Sequence, residues 1–343
     1  MSKPSKGDWS ELYQAAIAFQ KAAPWDWMDN EDLFAIENPD DGEVGYSTIL
    51  GSGGEEFGLG MFLGEDGYGK YVKVIEEETE AGDFEESMMA RSLSMLLVDR
   101  DVLQKGDREV IRSLGLRFRG RNAWPFFRSQ QPGYVPWFLE KGEAIFLTAA
   151  IQQALIVAGE VRSGELDLLE REAEKLVLTR YYRGGKWKEE WRSAPISSEG
   201  KESYVESIDP VKEAELYLLR DKVGEHSGFW ELDIFMLPVP IGSASKKPHF
   251  PICFLAVESK LGLVVGTNLT EPWLNLSGRQ DEVIQILRKA KQLPREIRVE
   301  SNKVKRIVEP ITSTLGIKLR VTPLSVLQEA KASIYERFCG RKL

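Results

Sequence analysis

Between residues 117 and 137 the chain interleaves arginines with aromatic rings. Arg117, Arg119, Arg121 and Arg128 alternate with Phe118, Trp124, Phe126, Phe127, Tyr134 and Trp137. A guanidinium grips a phosphate through two parallel N–H donors, and an aromatic face stacks on a base. The chemistry on offer is recognition of a nucleic acid or nucleotide by Arg117, Arg119, Arg121, Trp124, Arg128, Tyr134 and Trp137. The segment also has a plainer reading. Pro125, Pro132 and Pro136 suit a rigid connection pinned to the core by its rings, with its arginines paired to the acidic first hundred residues.

Other chemistries find less support. The chain has 2 cysteines, Cys253 and Cys339, and 2 histidines, His226 and His249. Cys253 lies in the apolar run Phe250-Pro251-Ile252-Cys253-Phe254-Leu255, so a buried thiol is expected. Two cysteines build no disulfide framework and no CxxC metal site, and the sparse Cys and His argue against zinc. No GxSxG elbow supplies a serine nucleophile. Gly51-Ser52-Gly53-Gly54 stands between two strand-like runs. A phosphate loop would lead into a helix and carry Lys-Ser or Lys-Thr, so a hairpin turn is expected.

The 343 residues suit two domains, and 42% hydrophobic content suffices for ordinary cores. No run of 18 apolar residues predicts a membrane span, and the polar start Met1-Ser2-Lys3-Pro4 does not read as a signal peptide. The cytoplasm is the expected location. A net charge of −9 hides an asymmetry: residues 1–100 hold 7 basic and 22 acidic residues, whereas residues 278–343 hold 15 and 7. A basic C-terminal segment attracts phosphates, or simply clothes amphipathic helices.

The elements that must position these groups follow from periodicity. Trp9–Ala22 reads as a helix, Leu33–Ile36 as a strand, and Val44–Leu50 with Phe57–Leu63 as a hairpin. A helix near 67–78, a strand Leu93–Val98, a helix 107–114, a strand Leu116–Arg119 and a long apolar helix Glu143–Val161 follow. From residue 210 the series begins again. Val211–Val223 is a helix, Trp230–Leu237 a strand, and Ile252–Val257 with Leu261–Thr267 a hairpin. Next come a helix Arg279–Gln292 with Val283, Ile284, Ile286 and Leu287 inside, and a strand Glu296–Glu300. A helix Lys303–Leu315, which Pro310 should kink, buries Val304, Ile307, Val308, Ile311 and Leu315; a strand Ile317–Val321 and a helix Ser325–Phe338 close the chain. Each half therefore reads helix-βββαβαβα. Asp32-Leu33-Phe34, Val98-Asp99 and Leu114-Gly115-Leu116-Arg117 answer to Asp233-Ile234-Phe235, Val299-Glu300 and Leu315-Gly316-Ile317-Lys318, all 201 residues later. The expectation is an α/β protein of two similar halves: 1–165, a hairpin and linker over 166–207, and 208–343.

Two resemblances add to this. The blocks Trp9–Ala16, Ala23–Met28, Phe118–Pro125 and Pro132–Trp137 resemble a family of uncharacterised bacterial proteins. Pro294–Val299 with Leu315-Gly316-Ile317 resembles the second domain of unknown function that often follows it. The element order, in turn, resembles the ribonuclease-H-like fold, in which case these halves are degenerate copies of it. Active members hold two Mg²⁺ or Mn²⁺ ions through carboxylates on the first strand, first helix, fourth strand and last helix. That resemblance selects Asp233, Glu282, Glu300 and Glu329, with Asp32 and Asp99 at the matching strand positions of the N-terminal half. Glu300 departs from the usual Asp, and its added methylene shifts metal geometry. Two functions remain open: a non-catalytic binding protein for a protein or nucleic-acid partner, with no cofactor, no membrane and the Arg/aromatic segment as its surface, and a metal-dependent nuclease or phosphotransfer enzyme.

Overall fold

The computed structural model describes residues 2–75, 85, 88–171, 174–195, 210–222, 226–242, 247–272, 275–290 and 292–339. The chain forms two units. Unit 1 holds Met1–Gln131 and Pro136–Gly200; unit 2 holds Pro132–Val135 and Lys201–Leu343.

Unit 1 is a seven-stranded sheet with helices on both faces. Helix α1 (Lys6–Ala22) starts at a reciprocal cap: Asp8 N donates to Ser5 Oγ at 3.2 Å, and Ser5 N donates to Asp8 Oδ2 at 2.6 Å. The strands are β1 (Phe34–Glu37), β2 (Val44–Leu50), β3 (Phe57–Leu63), β4 (Ser92–Val98), β5 (Trp124–Gln130), β6 (Leu176–Arg183) and β7 (Lys186–Ser193). Their order is β5-β4-β3-β2-β1-β6-β7, and only the β1–β6 pair is parallel. Strand β4 buries every second residue, Leu93, Met95 and Leu97, as a half-covered strand should. These meet α1 and α4 (Lys141–Ser163) through Leu12, Phe19, Leu147 and Ile151. Helix α4 is long and apolar enough to cross a membrane, yet ten of its residues are buried in this core. The opposite face, at Ala35, Tyr46 and Val177, packs against Tyr68 of α2 (Gly64–Ile75). Burial beside the Tyr68 ring pushes the Tyr46 phenol up to about 12. Between β4 and β5 stands the short helix α3 (Lys105–Ser113).

Unit 2 carries α5 (Pro210–Lys222), β8 (Phe229–Met236), β9 (Ile252–Glu258), β10 (Leu263–Thr270), α6 (Leu276–Lys289), β11 (Glu296–Val299), α7 (Asn302–Leu315), β12 (Lys318–Val321) and α8 (Ser325–Cys339). The sheet order is β10-β9-β8-β11-β12, with β8–β9–β10 antiparallel and β8–β11–β12 parallel. Val283, Ile284, Ile286 and Leu287 of α6, and Val304, Ile307, Val308, Ile311 and Leu315 of α7, are buried as their spacing predicts. Gly266 of β10 lies under α6, where a Cβ would stand 2.5 Å from Ile286 Cγ2. Helix α8 covers the other face, with Leu324 and Leu327 against Phe235, Cys253, Leu255 and Val257.

The chain order of elements is shared by the two halves; the sheets built from it differ. In unit 2 the fourth strand, β11, runs parallel beside the first, β8. In unit 1 the fourth strand, β4, runs antiparallel beside β3, and β6 takes the parallel place beside β1. The Leu176–Ser193 hairpin is thus part of the unit 1 sheet, while residues 196–207 of the expected linker lie outside the described residues. The repeated words also part company. Gly115 and Gly316 both close a helix in the left-handed region, at φ +71° and +70°, but only Gly316 leads into a strand. Residues 116–119 form none, because the hydrogen-bonding edge of β4 is taken by Trp124–Gln130. Pro125, which cannot donate to a ladder, is tolerated there because β5 is an edge strand.

One buried acid fixes the position of α8. Glu231 of β8 is 2% exposed, and its Oε2 accepts the Leu327 N–H at 2.7 Å. A carboxylate at a helix N-terminus satisfies an orphan donor and meets the positive end of the helix dipole. Glu231→Ala strands that buried N–H, so urea unfolding should show a loss of about 1–3 kcal/mol, largely restored in Glu231→Gln.

Candidate anion-binding site

Strand β4 ends at Val98 and turns through Asp99-Arg100-Asp101 into α3. Asp107 anchors this helix twice. Its Oδ2 accepts the Gln104 N–H at 2.9 Å, closing the first turn, and its two oxygens accept Arg128 Nη1 at 2.9 Å and Nη2 at 2.8 Å. Arg128 is 4% exposed and sits over the rings of Phe126, at 3.7 Å, and Phe138, at 4.8 Å. With Ile111 turned into the core, Arg108 and Arg112, one helical turn apart, face outward.

After Gly115 the side chains alternate in burial. Leu116 and Phe118 pack onto the core, while Arg117, Arg119 and Arg121 are exposed. Phe118 stacks on Tyr13 at 6.2 Å. Burial, reinforced by the Asp107 charge, drives the Tyr13 phenol far up. The turn at 120–122 uses Gly120 at φ +105° and Asn122 at φ +47°, and Asn122 N donates to Asp99 Oδ1 at 2.8 Å, tying the strip back to the end of β4.

Two open hollows result. One of about 550 Å³ is lined by Asp99, Arg100, Asp101, Arg108, Gly120 and Arg121. Its neighbour, of about 460 Å³, is walled by Arg100, Arg108, Arg112, Arg117 and Arg119 together with Ile111, Leu116, Phe118 and Trp124. They share Arg100 and Arg108, and the Arg100 guanidinium lies 6.0 Å from the Trp124 ring centre. All six arginines are exposed, and among the described residues none of them forms an ion pair. Such a face can hold anions by bidentate hydrogen bonds.

The structure gathers Arg117, Arg119, Arg121 and Trp124 from the sequence-predicted set. It turns Arg128 into the core, where its donors are spent on Asp107. Tyr134 belongs to unit 2, where its neighbours Gly133 and Val135 hydrogen-bond to Phe250 and Pro248. Trp137 returns to unit 1 as a backbone partner of Ser129, its ring against Phe138. Arg100, Arg108 and Arg112 escaped the sequence reading because they lie ahead of the aromatic segment. The i,i+4 arginines beside an inward Ile111 were the available signal.

The four acids predicted to hold a metal belong to unit 2. Asp233 Oδ2 accepts Lys331 Nζ of α8 at 3.2 Å, and its Oδ1 accepts the Ile234 N–H at 2.9 Å. Glu300, at the end of β11, accepts Gln328 Nε2 at 2.7 Å. Glu329 is exposed on α8, and Glu282 is half-buried on α6. Among the described residues no three His, Cys, Asp or Glu side chains form a group able to hold a metal ion. In unit 1, Asp32 precedes β1 and caps the Asp29 N–H, with burial raising its pKa, and Asp99 serves the turn above. Cys253 is buried and free, and burial raises its thiol pKa.

Residues 9–180 match the family model described as Domain of unknown function (DUF7309). The chain belongs to the DUF7309 family. Residues 215–335 match a second, Domain of unknown function (DUF6930), so the two-domain resemblance drawn from the sequence blocks holds. The DUF7309 match contains the whole arginine face, and the DUF6930 match contains Asp233, Glu282, Glu300 and Glu329. No curated protein matches the chain. Among solved structures, a chain of the "CryoEM structure of simian T-cell lymphotropic virus intasome in complex with PP2A regulatory subunit B56 gamma" is similar at 13% identity over 35% of this chain and 40% of that one. Its TM-score of 0.23 is too low to speak for the fold.

Removing one partner of the Asp107–Arg128 pair leaves a buried charge. Asp107→Ala should therefore cost about 3–5 kcal/mol in chemical denaturation, and the double change Asp107→Leu with Arg128→Met should cost less than either single change.

Proposed function

We propose that this chain is a non-catalytic binding protein whose DUF7309 domain takes a phosphate-bearing partner on the arginine face. The observation that carries the reading is the set of six exposed guanidiniums around two adjoining hollows with no ion pair among the described residues. The cap of α3 and the tie of Asn122 to Asp99 hold the backbone beneath these guanidiniums, so they already share one face before an anion binds. The free, buried Cys253 suits a reducing compartment and so a cytoplasmic protein. The metal-dependent reading gains nothing comparable, since Lys331 supplies the cation that Asp233 faces.

Inorganic polyphosphate, titrated calorimetrically at low salt, tests this reading. Saturable binding should weaken as salt rises, because phosphate neutralisation releases counterions. The triple variant Arg117→Gln, Arg119→Gln, Arg121→Gln should bind about tenfold or more weakly while keeping its thermal midpoint, since charge-assisted bonds carry roughly 1.5–3 kcal/mol each. Undiminished binding in the triple variant would refute the assignment.

A further inference from the structure

Resting on that reading, we infer that the phosphate-bearing partner is a single-stranded nucleic acid, its backbone tracked by the arginines and a base stacked at Trp124. Four features of the face point there.

The first is shape. The hollows are open and consecutive, meeting at Arg100 and Arg108. An enclosed site would favour a small ligand; an open run of hollows favours an extended strand. The second is residue type. Among the described residues every cation lining the hollows is an arginine and none is a lysine. A diffuse attraction for polyanions is served equally by lysine. Only the planar guanidinium both grips phosphate bidentately and stacks on rings.

The third is the aromatic wall. Trp124 and Phe118 line the second hollow beside Arg112, Arg117 and Arg119, so apolar ring and phosphate donors face one space. Bare polyphosphate and acidic peptides have no use for that ring, and a duplex keeps its base faces internal. The fourth is an apparent contradiction. Asp99 and Asp101 line the first hollow among its arginines. Carboxylates repel a pure polyanion, but they accept hydrogen bonds from the exocyclic amino groups of bases. Phosphates therefore lie toward Arg112, Arg117 and Arg119, and base edges toward Asp99 and Asp101.

The test is fluorescence anisotropy with the full chain and labelled oligonucleotides of about 12 nucleotides, a length within the usual range for one site. Four probes are compared: an intact mixed-sequence single strand, a strand of equal length built wholly of abasic units, the duplex, and poly-L-glutamate. The intact strand should bind roughly tenfold tighter than the abasic strand, the scale of one base–aromatic stack, and tighter than the duplex. Trp124→Leu should lose that preference while still binding the abasic strand. The slope of log K against log salt should fall by about 2 in the Arg112/Arg117/Arg119→Gln variant, three contacts at about 0.7 each for a single strand. Equal binding of intact and abasic strands overturns the inference and leaves the anion-binding reading intact. Tighter binding of duplex or of poly-L-glutamate overturns it in favour of those partners. Failure of every strand and of polyphosphate removes both readings together. The comparison of intact with abasic strands uses the unaltered protein, so it stands even if Trp124→Leu fails to fold.

Discussion

The arginine face depends on one buried carboxylate. Asp107 accepts three hydrogen bonds, one from the first turn of its own helix and two from Arg128 of β5. Taking this pair out of water is expensive, and only good geometry compensates. Both guanidinium ends meet both oxygens, and the rings of Phe126 and Phe138 lie on the guanidinium. The result is that α3 is fastened to the edge strand at a single rotation about its axis. That rotation sends Ile111 inward and Arg108 and Arg112 outward. Arg128 thus contributes to the site by holding other arginines in place, without belonging to it.

Unit 2 uses the same device for a different end. Glu231 and Asp233 lie two residues apart on β8 and so face the same side of the sheet. Glu231 caps α8, and Asp233 takes Lys331 from the next turns of that helix. In each unit, then, a strand or a helix start is joined to its neighbour by a buried acid. The consequence for chemistry is direct. A divalent ion needs several oxygen ligands that lack competing partners. Of the acids of β8, Glu231 already accepts a helix N–H and Asp233 already faces the ammonium of Lys331.

The periodic signals were legible because burial enforces them. Val304, Ile307, Val308, Ile311 and Leu315 could be read as one helix face, and Leu93, Met95 and Leu97 as one strand face. Strand partners were not legible, because alternation states which side of a strand is buried and says nothing of its neighbour. Leu116-Arg117-Phe118-Arg119 shows the difficulty. Its alternation of burial is genuine, with Phe118 inward, yet it lacks a ladder since β5 holds that edge. Arg117, Arg119 and Arg121 were found by the same alternation. Arg128 was misplaced because an arginine is buried only against a partner, and Asp107 lies 21 residues earlier on another element. The 201-residue offset marked shared words such as Leu-Gly, which end helices in any setting, and did not mark shared strand order.

Six exposed guanidiniums around two hollows repel one another, and folding alone gains nothing from crowding them. A sequence tuned only for stability would scatter them or pair them with the acids that abound in residues 1–100. Instead the turn at Asp99–Asn122, the cap at Gln104–Asp107 and the buried Arg128 hold the crowd in place. A bound chain of phosphates would offset the repulsion among these guanidiniums and would release counterions from the phosphates as well.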